Sequence, residues 1–250
     1  MNQELVGPRG LGASPPRSIR RVRQALVLLL SCAAGGIDAA SYIGLGHVFA
    51  ANMTGNSVHL GMAIGRVSAI DVGHSASALL GFLIGAAAGA AIVERDDSAV
   101  PWPRAVTAAL TAELVLLGAV ALVWRGAGAQ HSVVADGFLV ALGVAMGMQS
   151  VAIQRLRIPG VASTYLTGTL TSLMAGLVRR ASGKESPTPE APTHSSGLLA
   201  LVWLIYAAGA AITTLASPSG GPLSLVLPML LIAIVLVGAD RSANAVQGAR

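Results

Sequence analysis

Asn52-Met53-Thr54-Gly55-Asn56 runs on through apolar sequence to Leu60, Ile64 and Arg66. A second stretch, Tyr165-Leu166-Thr167-Gly168-Thr169, runs on to Leu173, Leu177 and Arg179. The two share Thr-Gly, a leucine six residues after the threonine and an arginine twelve after it. Upstream, Asp38 precedes Thr54 by sixteen residues and Gln149 precedes Thr167 by eighteen. Polar, glycine-broken segments at matching places in two halves of an apolar chain are the pattern of transporters that bind at the repeat interface.

Composition sets the setting. The chain has 250 residues, 54% of them hydrophobic and 11% charged, with a mean hydropathy of +0.70. Soluble domains carry about 25% charged residues. A surface that faces lipid needs none, so the deficit implies an integral membrane protein. The net charge of +5 comes from basic residues in tails and loops, which reads as a topology signal rather than a nucleic-acid face. The single cysteine, Cys32, excludes an intramolecular disulfide and reads as a small packing residue. The first apolar run is too long for the core of a cleaved signal and reads as a retained helix.

Eight apolar runs follow one another, at roughly 25–45, 48–64, 72–93, 105–124, 133–153, 161–178, 198–216 and 223–239. Spanning takes about 20 residues. The second and sixth are shorter and carry the Thr-Gly breaks, so six to eight membrane segments are expected. The predicted fold is an all-α polytopic bundle of two internal repeats with broken or short helices. Its parts are a disordered basic tail at 1–24, repeat one at 25–124, repeat two at 125–239 with a Pro/Ser-rich loop at 182–196, and a C-terminal tail at 240–250.

If all eight runs cross, Arg95, Arg104, Arg155 and Arg157 lie outside. If the second and sixth turn back, only Arg66 and Arg125 do. The positive-inside tendency favours the second arrangement, which has three crossings per half and inverts the halves. Arg17, Arg20, Arg21 and Arg23 before the first run place both termini in the cytoplasm. Glycines and serines at four-residue spacing (Gly81/Gly85/Gly89, Gly143/Gly147, Ser57/Gly61/Gly65, Gly168/Ser172/Gly176) predict close helix contacts. Pro228 predicts a kink in the last span. Trp102, Trp124 and Trp203 predict interfacial anchors, and Asp136 a cap on the fifth span.

Two carboxylates lie inside spans, Asp38 and Glu113. Each is costly in lipid, so each is expected to face protein or water as a relay group or a structural acceptor. Asn52, Thr54, Gly55 and Asn56, with Thr167, Gly168 and Thr169, surround the breaks. There they either bind solute or ion, or satisfy freed backbone groups. Gln149 holds the place matching Asp38. No catalytic constellation, phosphate loop or metal-ligand spacing is visible, so no enzyme activity and no cofactor is expected. The expected partners are the lipid bilayer and a small solute or ion, with a homo-oligomer allowed and nucleic acid not.

The blocks Asp38-Ala39-Ala40-Ser41-Tyr42-Ile43-Gly44-Leu45-Gly46, Val48–Asn56, Gly147-Met148-Gln149, Pro159–Thr164 and Leu166–Leu170 resemble the YoaK-type family of bacterial inner-membrane proteins. The likeness runs from about Ala25 to Ala239. It implies an inner-membrane location and a multi-pass fold, and no substrate. The functional expectation is a small-solute transporter or permease, proton- or cation-coupled. The rival is a non-transporting scaffold or sensor subunit.

Overall fold

The computed structural model describes residues 17–96, 98, 100, 102–127, 132–156, 171, 174, 175, 177, 178, 182 and 196–247. They form an all-α bundle, with no strand among them. Its helices are α1 (Arg17–Gly44), α2 (Met53–Gly65), α3 (Ala69–Val93), α4 (Arg104–Ala127), α5 (Ser132–Arg155), α6 (Ser196–Ala216) and α7 (Val226–Gln247). Six of these, all but α2, are long and apolar enough to cross a membrane. At 1.5 Å per residue, the 13 residues of α2 reach about 20 Å, well short of a hydrocarbon core of about 30 Å.

Helix directions follow from named contacts. Arg23 donates to the Leu156 carbonyl, and Gln149 Nε2 donates to the Leu30 carbonyl at 3.3 Å. Rising numbers on α1 meet falling numbers on α5, so the two helices are antiparallel. Along α3 and α5, Gly81 faces Val140, Gly85 faces Val144 and Gly89 faces Met148, so these run parallel. Along α1 and α6, Gly209 lies on Cys32, Gly36 on Thr213 and Gly44 beside Gly220, again a parallel pair. α3 packs most extensively on α5, and α1 on α6.

The end of α1 and the start of α3 lie at the same end of the bundle. Gly46 sits so close to the His74 ring that a Cβ there would fall 2.5 Å from its Cδ2. Residues 45–68 therefore leave one end and return to it, and the second apolar run does not cross. This end is called the outer end here. It also holds Trp124, the start of α5 and the α6–α7 turn. The opposite, inner end holds the α3–α4 loop, where Arg155 donates to the carbonyls of Asp96 at 2.7 Å and Ser98 at 3.1 Å. Leu26 meets Gly238 near that end, so the start of α1 and the later part of α7 sit together.

Glycine makes the tight pairs possible. A Cβ on Gly85 would lie 2.1 Å from the Val144 carbonyl oxygen, and one on Gly147 would lie 2.3 Å from that of Phe82. Close backbone approach supplies dispersion contact that lipid does not. The expected stripes on α3 and α5 are thus packed. The stripe on α2 is not, because Cβ atoms on Gly61 and Gly65 would meet nothing within 4 Å. The fourth stripe lies outside the described residues.

Other expectations are corrected. α1 starts at Arg17, inside the stretch expected to be a disordered tail, and α7 continues to Gln247 through the expected C-terminal tail. Helical backbone bonding carries past the apolar boundary at both places. Pro228 lies in the first turn of α7, after a 3-10 turn at Pro222–Leu225. A missing N–H costs little there, and no interior kink follows. Trp124 is a core residue. It is 5% exposed, lies against Gly44 and stacks on Phe138 at 5.4 Å. The Trp102 indole donates to the Thr107 hydroxyl at 3.0 Å.

Candidate functional site

The described break lies between α1 and α2. Gly46 takes a φ of +83°, the left-handed conformation that ends helices and that glycine adopts without a Cβ penalty. His47 follows at φ 61°. A second non-glycine residue in this region, Val67 at φ 56°, ends α2 on the other side. Such conformations cost a non-glycine residue of order 1–3 kcal/mol and persist where the surroundings fix them. Tyr42 supplies part of that fixing. Its ring stacks on Phe49 at 4.8 Å and meets the His47 ring edge-on at 5.0 Å.

Between Gly46 and Asn52 the chain is irregular, with His47 exposed and Val48, Ala50 and Ala51 all under 4% exposed. Buried backbone outside a helix needs partners for its N–H and C=O groups. Asp38 supplies one, its Oδ1 accepting from the Ala51 N–H at 2.6 Å. Its Oδ2 accepts from the Tyr206 hydroxyl of α6. Asn56 supplies two. Its Oδ1 accepts from the Phe49 N–H at 2.9 Å, and its Nδ2 donates to the Phe49 carbonyl at 2.6 Å. Asn52 caps α2, its Oδ1 accepting from the Gly55 N–H at 3.2 Å. A Cβ on Gly55 would press on the Asn52 amide at 2.9 Å, so glycine there leaves room for the cap. Thr54 is exposed in the first turn of α2.

Asp38, Asn52, Gly55 and Asn56 are therefore brought together as a bracket around one stretch of backbone. Gln149 is not part of it. Its amide reaches Leu30, eight residues nearer the inner end of α1 than Asp38, and its Oε1 is buried without a hydrogen-bond partner among the described residues. Glu113 lies elsewhere, on the core face of α4 with Ala109, Leu110 and Leu117. It is 0% exposed, and among the described residues neither carboxyl oxygen has a hydrogen-bond partner. Thr167, Gly168 and Thr169 fall outside the described residues.

Three contacts were not read from the sequence. One is Tyr206, a lone tyrosine in an apolar run, whose partner is 168 residues away. Another is the pair His74 Nδ1–Asp136 Oδ1 at 2.6 Å, which ties α3 to α5 at the outer end. Asp136 thus makes a cross-helix pair rather than a cap. The last is a cavity of about 240 Å³ beside the break, with His47, His59, Arg66, Asp71 and Ser75 in its wall.

Six membrane-length helices around a broken, re-entering segment define an integral, multi-pass membrane protein. The chain belongs to the family described as "Protein of unknown function (DUF1275)", whose model matches residues 26–238. UPF0700 transmembrane protein YoaK of Bacillus subtilis (strain 168) is 36% identical over 212 residues, covering 84% of this chain and 91% of that protein. No solved structure matches.

Proposed function

We propose that this protein is a small-solute transporter or permease of the bacterial inner membrane. Solute would enter through the cavity beside the break, and Asp38 and Glu113 would couple its movement to protons or cations. The observation that carries the reading is the chain reversal between α1 and α3, whose irregular backbone is held by the buried side chains of Asp38 and Asn56. Broken helices in inverted halves are how many secondary transporters build a site near the membrane midplane. Support for two repeats comes from the packing. Matching Asp38 with Gln149 pairs α1 with α5, and continuing in chain order pairs α3 with α6 and α4 with α7. That exchange turns the α1–α6 seam into the α5–α3 seam, and α1 is antiparallel to α5, as inversion requires.

A second reading has its own support. Asp38, Asn52 and Asn56 direct their polar atoms at backbone or at Tyr206, as they would in a scaffold or sensor subunit whose break is only structural. Untargeted uptake and efflux by the purified protein in liposomes separates the two. Net movement of any metabolite above empty liposomes, reduced by substitutions in the cavity wall, supports transport. No flux across a broad metabolite mixture in either direction would leave the scaffold.

A further inference from the structure

We propose that Glu113 is a proton-binding site, which takes up and releases one proton as the protein works. The proposal deepens the transport reading by naming the coupling ion. Glu113 is the tenth residue of the 24 in α4, near the middle of the helix. It is fully buried, and both its oxygens lack a hydrogen-bond donor among the described residues. A carboxylate held this way is an uncompensated buried charge, which is strongly unfavourable in a protein interior. The neutral acid removes the charge.

Among the described residues, the surroundings supply no countercharge. α3, α5, α7 and the 3-10 turn at Pro222–Leu225 all pack against α4. On α3 the titratable residues are Asp71 and His74, both in its first two turns, and His74 is paired with Asp136. On α5 they are Asp136 near the start and Arg155 at the last residue, which is bonded to the α3–α4 loop. On α7, Asp240 and Arg241 come late in the sequence, and the 3-10 turn has none. On α4 itself, Arg104 and Arg125 stand at the ends. Asp38 is bonded to Ala51 and Tyr206. Nothing charged on these elements lies at the level of Glu113.

A metal cation is the poorer fit. Hard cations such as calcium gather six to eight oxygen ligands. No group of three or more His, Cys, Asp or Glu side chains suited to a metal occurs among the described residues. A proton needs one oxygen. An ionisable group at the centre of a span, with no structural partner to explain it, is the expected form of a proton-relay residue.

The test uses the purified full-length chain in detergent and needs no solute. A protonated carboxyl adds across one C=N bond of dicyclohexylcarbodiimide, its proton going to nitrogen, and in apolar surroundings the resulting O-acylisourea rearranges by acyl transfer to nitrogen into a stable N-acylurea. Mass spectrometry is expected to find that adduct on Glu113 at neutral pH and to find it lost as the pH is raised. Infrared spectra are expected to show a protonated-carboxyl C=O band that Glu113→Gln removes and Asp38→Asn leaves. Should the Gln variant not fold, the adduct on the unaltered chain decides. An unlabelled Glu113 with no band lost in the variant overturns the proposal, as does labelling that never falls with pH. Flux in liposomes fails or succeeds separately. A titrating Glu113 in a protein that moves no solute sinks the transport reading and leaves the proton site. Solute flux through a protein whose Glu113 carries no exchangeable proton does the reverse.

Discussion

Asp38 gives one oxygen to a backbone amide of the break and the other to a phenol on α6. Its two partners are orphaned differently by different substitutions. Asp38→Ala leaves the Ala51 N–H and the Tyr206 hydroxyl unsatisfied, at about 1–3 kcal/mol each. Asp38→Asn keeps an acceptor for Ala51 and offers Tyr206 a donor in place of an acceptor. Thermal unfolding in detergent should therefore rank the unaltered chain above Asn and Asn above Ala. An Ala variant as stable as the unaltered chain would mean the bracket holds nothing. Asn56→Ala removes both bonds to Phe49 and should cost as much as Asp38→Ala. Asn56→Asp keeps the acceptor but sets a carboxylate against the Phe49 carbonyl, and should not rescue it. Which amide these side chains reach was hidden in the sequence. It showed a polar break and the residues around it, but an asparagine seven positions from its partner has no periodic signature.

Charge at the inner loop makes a prediction of another kind. Hydrogen bonds from Ser98 and from the Ala105 N–H hold the Asp96 carboxyl below its usual range. A carboxyl depressed in the folded state stabilises above its unfolded pKa of about 3.9, and that contribution is lost as pH falls through the lower folded value. Amide-exchange protection at Ala105 and Ser98, taken relative to the intrinsic rate at each pH, should therefore fall in acid and hold at neutral pH. Protection there that is insensitive to acid would show that Asp96 does not hold the loop.

At the scale of the element, similar glycine stripes have opposite worth. On α3, Gly85 faces a carbonyl at a distance no side chain tolerates, so Gly85→Val should separate α3 from α5 and prevent recovery of a monodisperse protein. On α2, a helical glycine in open space costs roughly 0.5–1 kcal/mol relative to alanine. Gly61→Ala and Gly65→Ala should thus leave the melting temperature unchanged or raise it slightly. A loss of several degrees from either would point to a contact the bundle acquires only in the membrane. The four-residue spacing was legible in both helices. What it did not carry was whether a second helix lies over the stripe, because a short helix that re-enters shows its small residues to open space as readily as to a neighbour. The six long spans were legible for the opposite reason, since length and hydropathy are properties of one segment alone.

For the whole molecule, one chain reversal fixes the sidedness of everything after it. Because residues 45–68 return to the end they left, Val67 and Ser219 should share a face, and Glu94 should share the other with Arg20. Single engineered cysteines at these positions, in a Cys32→Ser background and intact cells, should react with an impermeant maleimide only at Val67 and Ser219. Labelling at Glu94 and Arg20 with none at Val67 would invert the orientation that the basic residues before α1 imply. Labelling at Glu94 with none at Val67 or Arg20 would show that α2 crosses. The sequence held this answer only faintly, in whether Arg66 and Arg125 or the arginines around the other loops face outward.

The parallel seams also carry a consequence for how the protein is made. Parallel neighbours are never joined by a short turn, so neither seam closes as its helices emerge from the ribosome in order. The α3–α5 seam waits for one intervening helix. The α1–α6 seam waits for nearly the whole chain, and with it Asp38 waits for Tyr206, 168 residues later. Until then the first helix sits in the bilayer with half of its carboxylate's bonding unmet. A nascent chain halted before Ser196 therefore lacks both the partner of Asp38 Oδ2 and the whole surface that covers this face of α1, and only completion of synthesis supplies them.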